Sequence, residues 1–423
     1  MSIDIIKLLN NASLDGYRVN TVKTESYELF FVHEKLETVR GTDTCTTQVT
    51  VYVDHDGKRG EASFKVYAST TEAEAIASIA DATEKAKRIN NEFFTLPDAL
   101  ELCEEIPSNF TDYEPKALAR EMARAVFSAE MYGCGSVNAL EIFINKTTSS
   151  VSNSNGRSVS ETKYSAVVEV IPTWTDGESV ELYQCERFNR FDERELREKV
   201  EQKMREVRDR GVAQPPKEKL SCRVVLDAKE LSHLFLDIAG ELDYASVYSH
   251  MNSFSVGDSI QKERRGDAIS VTMKGAIEGS SASALFDVDG TLMKDTEVIR
   301  EGDIVANYGA HRFAQYLGKE PTGQLGCLEL KAGTLTDEEL ASAPYFRCVS
   351  MSGIQLDILS DYIGGEVRLA YYVDGKSVTP MTGISISGKL SEALNSIRLS
   401  DTCECSGRYL GPKAASFDGI EIV

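Results

Sequence analysis

Val49-Thr50-Val51-Tyr52-Val53-Asp54-His55-Asp56-Gly57-Lys58-Arg59-Gly60-Glu61-Ala62-Ser63 decides the fold class. Val49, Val51 and Val53 recur at every second position, the period of a strand with one buried face. Asp56-Gly57 then supplies two residues that tolerate positive φ, the chemistry of a tight hairpin turn. The stretch reads as strand, turn and returning strand, hence as antiparallel sheet. Tyr27, Leu29 and Phe31 alternate in the same way upstream.

Helical spacing surrounds this hairpin in blocks. Ile3, Ile5, Ile6, Leu8 and Leu9 predict a short amphipathic helix closed by Asp15-Gly16. Residues 71–91 carry Ala73, Ile76, Ala77, Ala80 and Ile89 at helical spacing, and Leu118, Met122, Val126 and Met131 form a stripe after Pro115. Strand-like segments return at Leu140–Ile144 and Ala166–Pro172, on either side of the polar stretch Thr147 to Lys163. Within it, Asn153-Ser154-Asn155-Gly156 is a turn signal. A charged helix follows over Asp192–Arg210, with Leu196, Val200 and Val207 as its apolar stripe and Gly211 as its stop.

Ala213-Gln214-Pro215-Pro216-Lys217 reads as a linker, so the expected domains are 1–213 and 219–423. The second half is rich in Gly and in strands, with helices expected at Ala228–Leu242 and Leu390–Ile397. Helices and strands come in blocks rather than in βαβ alternation, which predicts an α+β protein. It consists of an N-terminal mixed α/β-meander domain with an antiparallel sheet, followed by a β-rich C-terminal domain. No internal repeat is present.

Composition removes several function classes. The chain has 423 residues, 42% hydrophobic and 27% charged, the profile of a globular protein large enough for two domains. A formal charge of −21 argues against a nucleic-acid surface, which needs a local Lys/Arg excess. The most basic region, Glu186 to Arg210, is laced with acids and reads as a solvated helix. Polar residues interrupt the apolar ones of MSIDIIKLLNNASLDGY, so it lacks the core of a signal peptide. No run of about 18 apolar residues exists to span a membrane. Nine scattered cysteines fit reduced thiols, and the expected compartment is the cytoplasm, where the sequons at Asn109 and Asn145 carry no weight.

Several landmarks in order resemble the TldD/PmbA family. The Val53–Ser63 hairpin comes first, then the Asn153–Gly156 turn, then Val224-Val225-Leu226 leading into a helix. The most specific run is Phe286-Asp287-Val288-Asp289-Gly290-Thr291, followed by Ile299-Arg300-Glu301-Gly302, Tyr308 and Pro321-Thr322-Gly323. Ser385-Ile386-Ser387-Gly388-Lys389-Leu390 and Ile397 to Asp401 complete the set. The resemblance covers roughly residues 50 to 423. It implies a metallopeptidase family whose TldD-like and PmbA (TldE)-like subunits pair to process unfolded or modified peptides. An older family name is modulator of DNA gyrase.

TldD-like subunits carry an H-E-x-x-x-H helix, in which two imidazoles hold a zinc-like ion and the glutamate serves the attacking water. The corresponding run here is His233-Leu234-Phe235-Leu236-Asp237-Ile238. Leu234 replaces the glutamate and Ile238 the second histidine, and neither can ligate or accept a proton. The resemblance therefore implies a PmbA/TldE-like chain with no catalytic, cofactor-binding or metal-ligating residue of its own. Its expected partners are a sister TldD-like subunit and an extended peptide substrate, with a homodimer in isolation. The second domain is the expected place for a strand edge that holds the peptide.

His233 lies among Leu231, Leu234, Phe235 and Leu236, the setting of a partly buried core histidine. His250 has no partner at ligand spacing, and His33-Glu34-Lys35-Leu36-Glu37 lacks a second histidine on an expected strand. Cys403-Glu404-Cys405 is a lone C-x-C without a second pair, although the family's TldD-like subunits take a ligand from a cysteine near the C-terminus. Two other readings stay open. One is an autonomous hydrolase with a non-standard ligand set such as His233, His250 and Cys405; the other is a peptide-binding module without a catalytic partner.

Asp287-Val288-Asp289-Gly290-Thr291-Leu292 also matches the D-x-D-G-T-L signature of haloacid dehalogenase phosphatases. There the first Asp is the nucleophile, beside Mg²⁺. That motif should end a buried parallel strand, whereas here it follows Gly279-Ser280-Ser281-Ala282-Ser283-Ala284. The expected structure is a turn between two short strands.

Overall fold

The computed structural model describes residues 3–130, 133–176 and 179–423. It is α+β, as the block pattern predicts. The first half builds one sheet from β1 (Gly16–Val32), β2 (Lys35–His55), β3 (Lys58–Val66), β4 (Asn91–Glu92), β5 (Leu100–Glu105), β6 (Gly135–Asn153) and β7 (Arg157–Trp174). Their order is β4-β3-β2-β1-β6-β7-β5, with β8 (Val180–Glu181) and β9 (Gln184–Phe188) also on β7. Neighbours are antiparallel except β5, which runs parallel to β7.

The quoted hairpin is as predicted. β2 returns as β3 in the register Val53↔Gly60, and the turn residues Asp56 and Gly57 have φ of 49° and 73°. Gly60 is required for another reason. A Cβ there would lie 1.8 Å from the Ala86 carbonyl oxygen, at the end of the helix α2 (Glu72–Ala86). Strand and helix touch backbone to backbone.

The helices α1 (Ile5–Asn11), α2, α3 (Pro115–Phe127) and α4 (Glu193–Val212) also come from the first half. Leu118, Met122 and Val126 of α3 and Leu196, Val200 and Met204 of α4 bury themselves against Leu140, Ile142, Val168 and Val170. α1 and α2 cover Tyr17, Val19, Val49 and Val51 instead.

Some boundaries differ from expectation. α1 ends at Asn11, capped at Ala12, and Gly16 already belongs to β1. Gly211 lies inside α4, whose Val212 precedes the true stop at Ala213. His33 and Glu34 form a turn rather than part of a strand, with φ of 52° at His33. Met131 lies outside the described residues.

The polar stretch Thr147–Lys163 is not a break, because β6 and β7 run through it. Its hydroxyls pair across strands, Thr24 with Thr147 at 3.2 Å and Thr148 with Thr162 at 3.1 Å. Such pairs stabilise sheet without an apolar face. The Asn153–Gly156 turn sits at its tip, where Asn153 Oδ1 accepts from Asn155 N–H (2.8 Å) and Arg157 N–H (3.1 Å).

The second half forms two further sheets, one around Arg223–Asp227 and Tyr362–Val373, the other around Val271–Lys274 and Cys327–Leu330. The helix α5 (Ala228–Gly240) lies in their shared core with Leu231, Leu234, Phe235, Ile238 and Ala239, none more than 0% exposed. A helix at Leu390–Ser396 matches expectation, whereas the short helices Tyr244–Tyr248, His311–Tyr316 and Asp337–Leu340 carry too few turns to announce themselves. Among the described residues no helix is long and apolar enough to cross a membrane.

Candidate functional site

α5 carries the run that matters most for chemistry. It begins after Asp227, whose carboxylate is held by Arg347, Nε at 2.9 Å and the terminal nitrogen at 2.8 Å. Helical periodicity then assigns sides. Leu234 and Ile238, which the sequence resemblance sets against the active helix's glutamate and second histidine, are fully buried among apolar neighbours. His233 faces the other way with its side chain about half exposed, at 49%, the partly buried setting its neighbours imply. Its Nδ1 stands 3.7 Å from Glu230 Oε2, an ion-pair rather than a hydrogen-bond distance. Glu230 raises the imidazole pKa, with burial opposing. One imidazole on this helix is too few ligands to hold a zinc-like ion. The residues present do not fit the family's ion.

The other ligand candidates stand elsewhere. His250 follows the helix Tyr244–Tyr248, exposed, at a φ of 55°. Cys405 lies on the strand Cys403–Ser406, and its thiol points toward the Glu278 carbonyl at 3.6 Å. Burial pushes the Cys405 thiol pKa up, which keeps it protonated and unreactive. Among the described residues no three His, Cys, Asp or Glu side chains gather as a metal cluster.

Cys405 lines a cleft of about 430 Å³ between the two halves. Its other walls are α4 and β9, with Glu186, Glu195 and Lys199, and the Ile277–Gly279 segment. Lys199 Nζ reaches Glu195 at 2.8 Å and Glu186 at 3.4 Å. Asn189 N–H donates to Gly279 O at 3.0 Å and Arg190 pairs with Glu278 at 2.5 Å, which ties the cleft shut at one end.

Asp287-Val288-Asp289-Gly290 forms the expected turn. Phe286 bridges antiparallel to Leu292, so no parallel strand ends there. Asp287 Oδ1 accepts from the N–H groups of Asp289 (2.9 Å) and Thr291 (3.0 Å), and Oδ2 accepts from Gln324 N–H at 3.1 Å. The carboxylate is 5% exposed and spent on backbone, which leaves no free nucleophile. Burial raises its pKa from 3.8 to about 6.

The turn plugs into the first sheet. Asp289 pairs with Arg18, Asn20 Nδ2 donates to Val288 O at 2.7 Å, and Arg157 Nε donates to Gly290 O at 2.7 Å. Leu285 N–H donates to Glu161 Oε2 at 2.7 Å, while Phe286 packs on Val151 and Val159. Nearby, burial lowers the pKa of His311, whose Nε2 has no hydrogen-bond partner. None of these first-half partners was singled out in the sequence, because they lie on polar ribbons more than a hundred positions away.

Residues 219–422 match the model of the PmbA/TldA metallopeptidase C-terminal domain. No curated protein matches by sequence. Several solved structures share the fold. One is a candidate modulator of a DNA gyrase from Thermotoga maritima, with TM-score 0.79 and 14% identity over 99% of this chain and 98% of that one. TldE from Thermococcus kodakarensis gives the same figures. A candidate modulator of DNA gyrase from Bacteroides thetaiotaomicron gives TM-score 0.78 and 14% identity over 99% and 97%. The second half of the chain therefore carries a PmbA/TldA metallopeptidase C-terminal domain, and the chain as a whole shares the fold of these structures.

Proposed function

We propose that this chain is a non-catalytic, TldE-like subunit of a TldD/TldE-type metallopeptidase that processes unfolded or modified peptides in the cytoplasm. One observation supports the reading: Leu234 and Ile238 of α5, which the sequence resemblance sets against the active helix's glutamate and second histidine, lie in the apolar core. A carboxylate base and a zinc ligand cannot be replaced by two alkyl groups. The chain's role is then to complete a sister subunit's site by supplying interface and peptide-holding surface. A stable pair of this kind buries more than about 2,000 Å² around an apolar centre.

The test is reconstitution. Alone, the chain is expected to show little or no peptidase activity. With a sister subunit bearing H-E-x-x-x-H it should form a heterodimer that cleaves unfolded peptides and is inhibited by chelators. His233→Ala should leave that activity nearly intact, whereas replacing the sister's glutamate should abolish it. Chelator-sensitive cleavage by this chain alone, unimproved by any partner, would sink the proposal. The alternative set His233, His250 and Cys405 has no structural observation in its favour.

A further inference from the structure

A long open strand edge lies in the first half of the chain. β2 pairs with β1 from Lys35 to Tyr52, but with β3 only from Thr47 to His55. Among the described residues no strand pairs with the other edge of Lys35–Thr46. Roughly 40 Å of backbone therefore presents unpaired N–H and C=O groups.

Exposed edges are commonly protected by charge, and this one carries Lys35, Glu37, Arg40 and Asp43. Those charges are neutralised within the ribbon: Lys35 pairs with Glu37 at 2.6 Å, Arg40 with Glu28 at 2.5 Å, and Lys23 with Asp43 at 3.7 Å. The edge is left open to a strand of either charge.

A groove of about 410 Å³ adjoins it, between the β1–β2 ribbon and α3. Its floor is apolar: Tyr27, Leu29, Leu36 and Val39, the last two 43% and 52% exposed. Its rim is Lys116 and Arg120, successive on one face of α3. Among the described residues neither cation has an ion-pair partner, in a chain of net charge −21. Two uncompensated cations over an apolar floor, beside open backbone, define what fits.

We infer that the Lys35–Thr46 edge of β2 takes up an extended peptide segment by strand addition. Apolar side chains of the peptide lie beside Leu36 and Val39, and acidic ones are drawn to Lys116 and Arg120. Main-chain hydrogen bonds supply affinity that is indifferent to sequence, and the rim supplies a preference for acidic segments. The inference rests on the chain's proposed role only in calling the ligand a peptide substrate.

The probe is a capped, fluorescent peptide of about ten residues, with valine and glutamate on one face and threonine on the other. Its binding to the full-length chain is read by anisotropy at low salt. Binding is expected, to weaken with added salt, and to fall at least tenfold in Lys116→Glu/Arg120→Glu. These exposed substitutions leave the fold intact, as circular dichroism will check. The same peptide with alternate amides N-methylated on its pairing edge should not bind.

Equal binding of the N-methylated peptide would overturn strand addition, and insensitivity to charge reversal would overturn the site. If the chain is a dimer that the reversal dissociates, and the probe does not bind, the occupant is a second copy and the inference is wrong. Reconstituted sister activity without probe binding defeats this inference alone. Probe binding without reconstitution defeats only the proposed function.

Discussion

The Asp287–Gly290 turn and the Lys35–Thr46 edge differ in what they leave unspent. The turn has the richer chemistry, with two carboxylates in a phosphatase-like signature, yet every group in it is committed. Asp287 takes three backbone N–H groups, Asp289 takes Arg18, and Gly290 O takes Arg157. The β2 edge is mostly threonines, a few apolar side chains and self-neutralised charges, yet among the described residues a run of backbone donors and acceptors there pairs with no strand. Reactive residue types signal function only if the fold leaves them free, and a bland strand becomes interesting when its neighbour stops short.

The strongest way to break this contrast is Asp287→Ala. If the carboxylate is structural, losing it orphans buried N–H groups at about 1–3 kcal/mol each, and a total destabilisation of about 3–5 kcal/mol is expected by urea denaturation. Asp287→Asn, which keeps an acceptor, should cost less. Neither the native chain nor either variant should turn over p-nitrophenyl phosphate with Mg²⁺. A phosphatase activity abolished by Asp287→Asn would overturn the structural reading.

A pH series sharpens the point. Burial sets the Asp287 pKa near 6 in the folded chain, above its ordinary 3.8, so the folded state keeps a proton that the unfolded chain releases. The group's contribution to stability is therefore fully present below about pH 4 and is lost as pH rises toward 6, by at most about 3 kcal/mol. Subtracting the Asp287→Asn profile removes the opposite contribution of His311, whose depressed pKa weakens the fold as pH falls. A flat difference between pH 4 and 6 would mean that Asp287 is solvated.

Arg18→Ala should cost about 1 kcal/mol, because the Arg18–Asp289 pair is partly exposed, and a double-mutant cycle with Asp289→Ala should show the coupling. The smallest effect belongs to the open edge. Leu36→Thr and Val39→Thr should shift stability by less than about 0.5 kcal/mol, since both side chains are about half exposed at the edge of the sheet. A larger loss would show that the groove floor is core.

The fold class was legible because Val49–Val53 and Asp56-Gly57 have the period and turn chemistry of a hairpin, and α3 and α4 have clean stripes. The length of the ribbons was not. β6 and β7 continue through Thr147–Lys163 on cross-strand hydroxyl pairs, which leave no apolar alternation to read. The departure of Leu234 and Ile238 from an H-E-x-x-x-H pattern was readable residue by residue. The direction of the His233 side chain was not, because a helix with four apolar neighbours around a histidine does not say which way the imidazole points. The partners of the Asp287 turn were invisible for a related reason. Arg18 and Arg157 are ordinary surface arginines until the sheet curls them against Asp289 and Gly290.

The strand order also sets a timetable. β1 lies between β2 and β6, but β6 begins about a hundred residues after β1 ends. At ribosomal speeds of roughly 5–20 residues per second, the nascent ribbon waits on the order of ten seconds for its second neighbour. Throughout that wait the β1 flank is bare, as is the Lys35–Thr46 flank of β2, with Tyr27, Leu29 and Phe31 uncovered until α3 and β6 emerge. Translation pauses before residue 153 should therefore lower the soluble yield of this protein, and a chaperone that shields nascent strands should restore it.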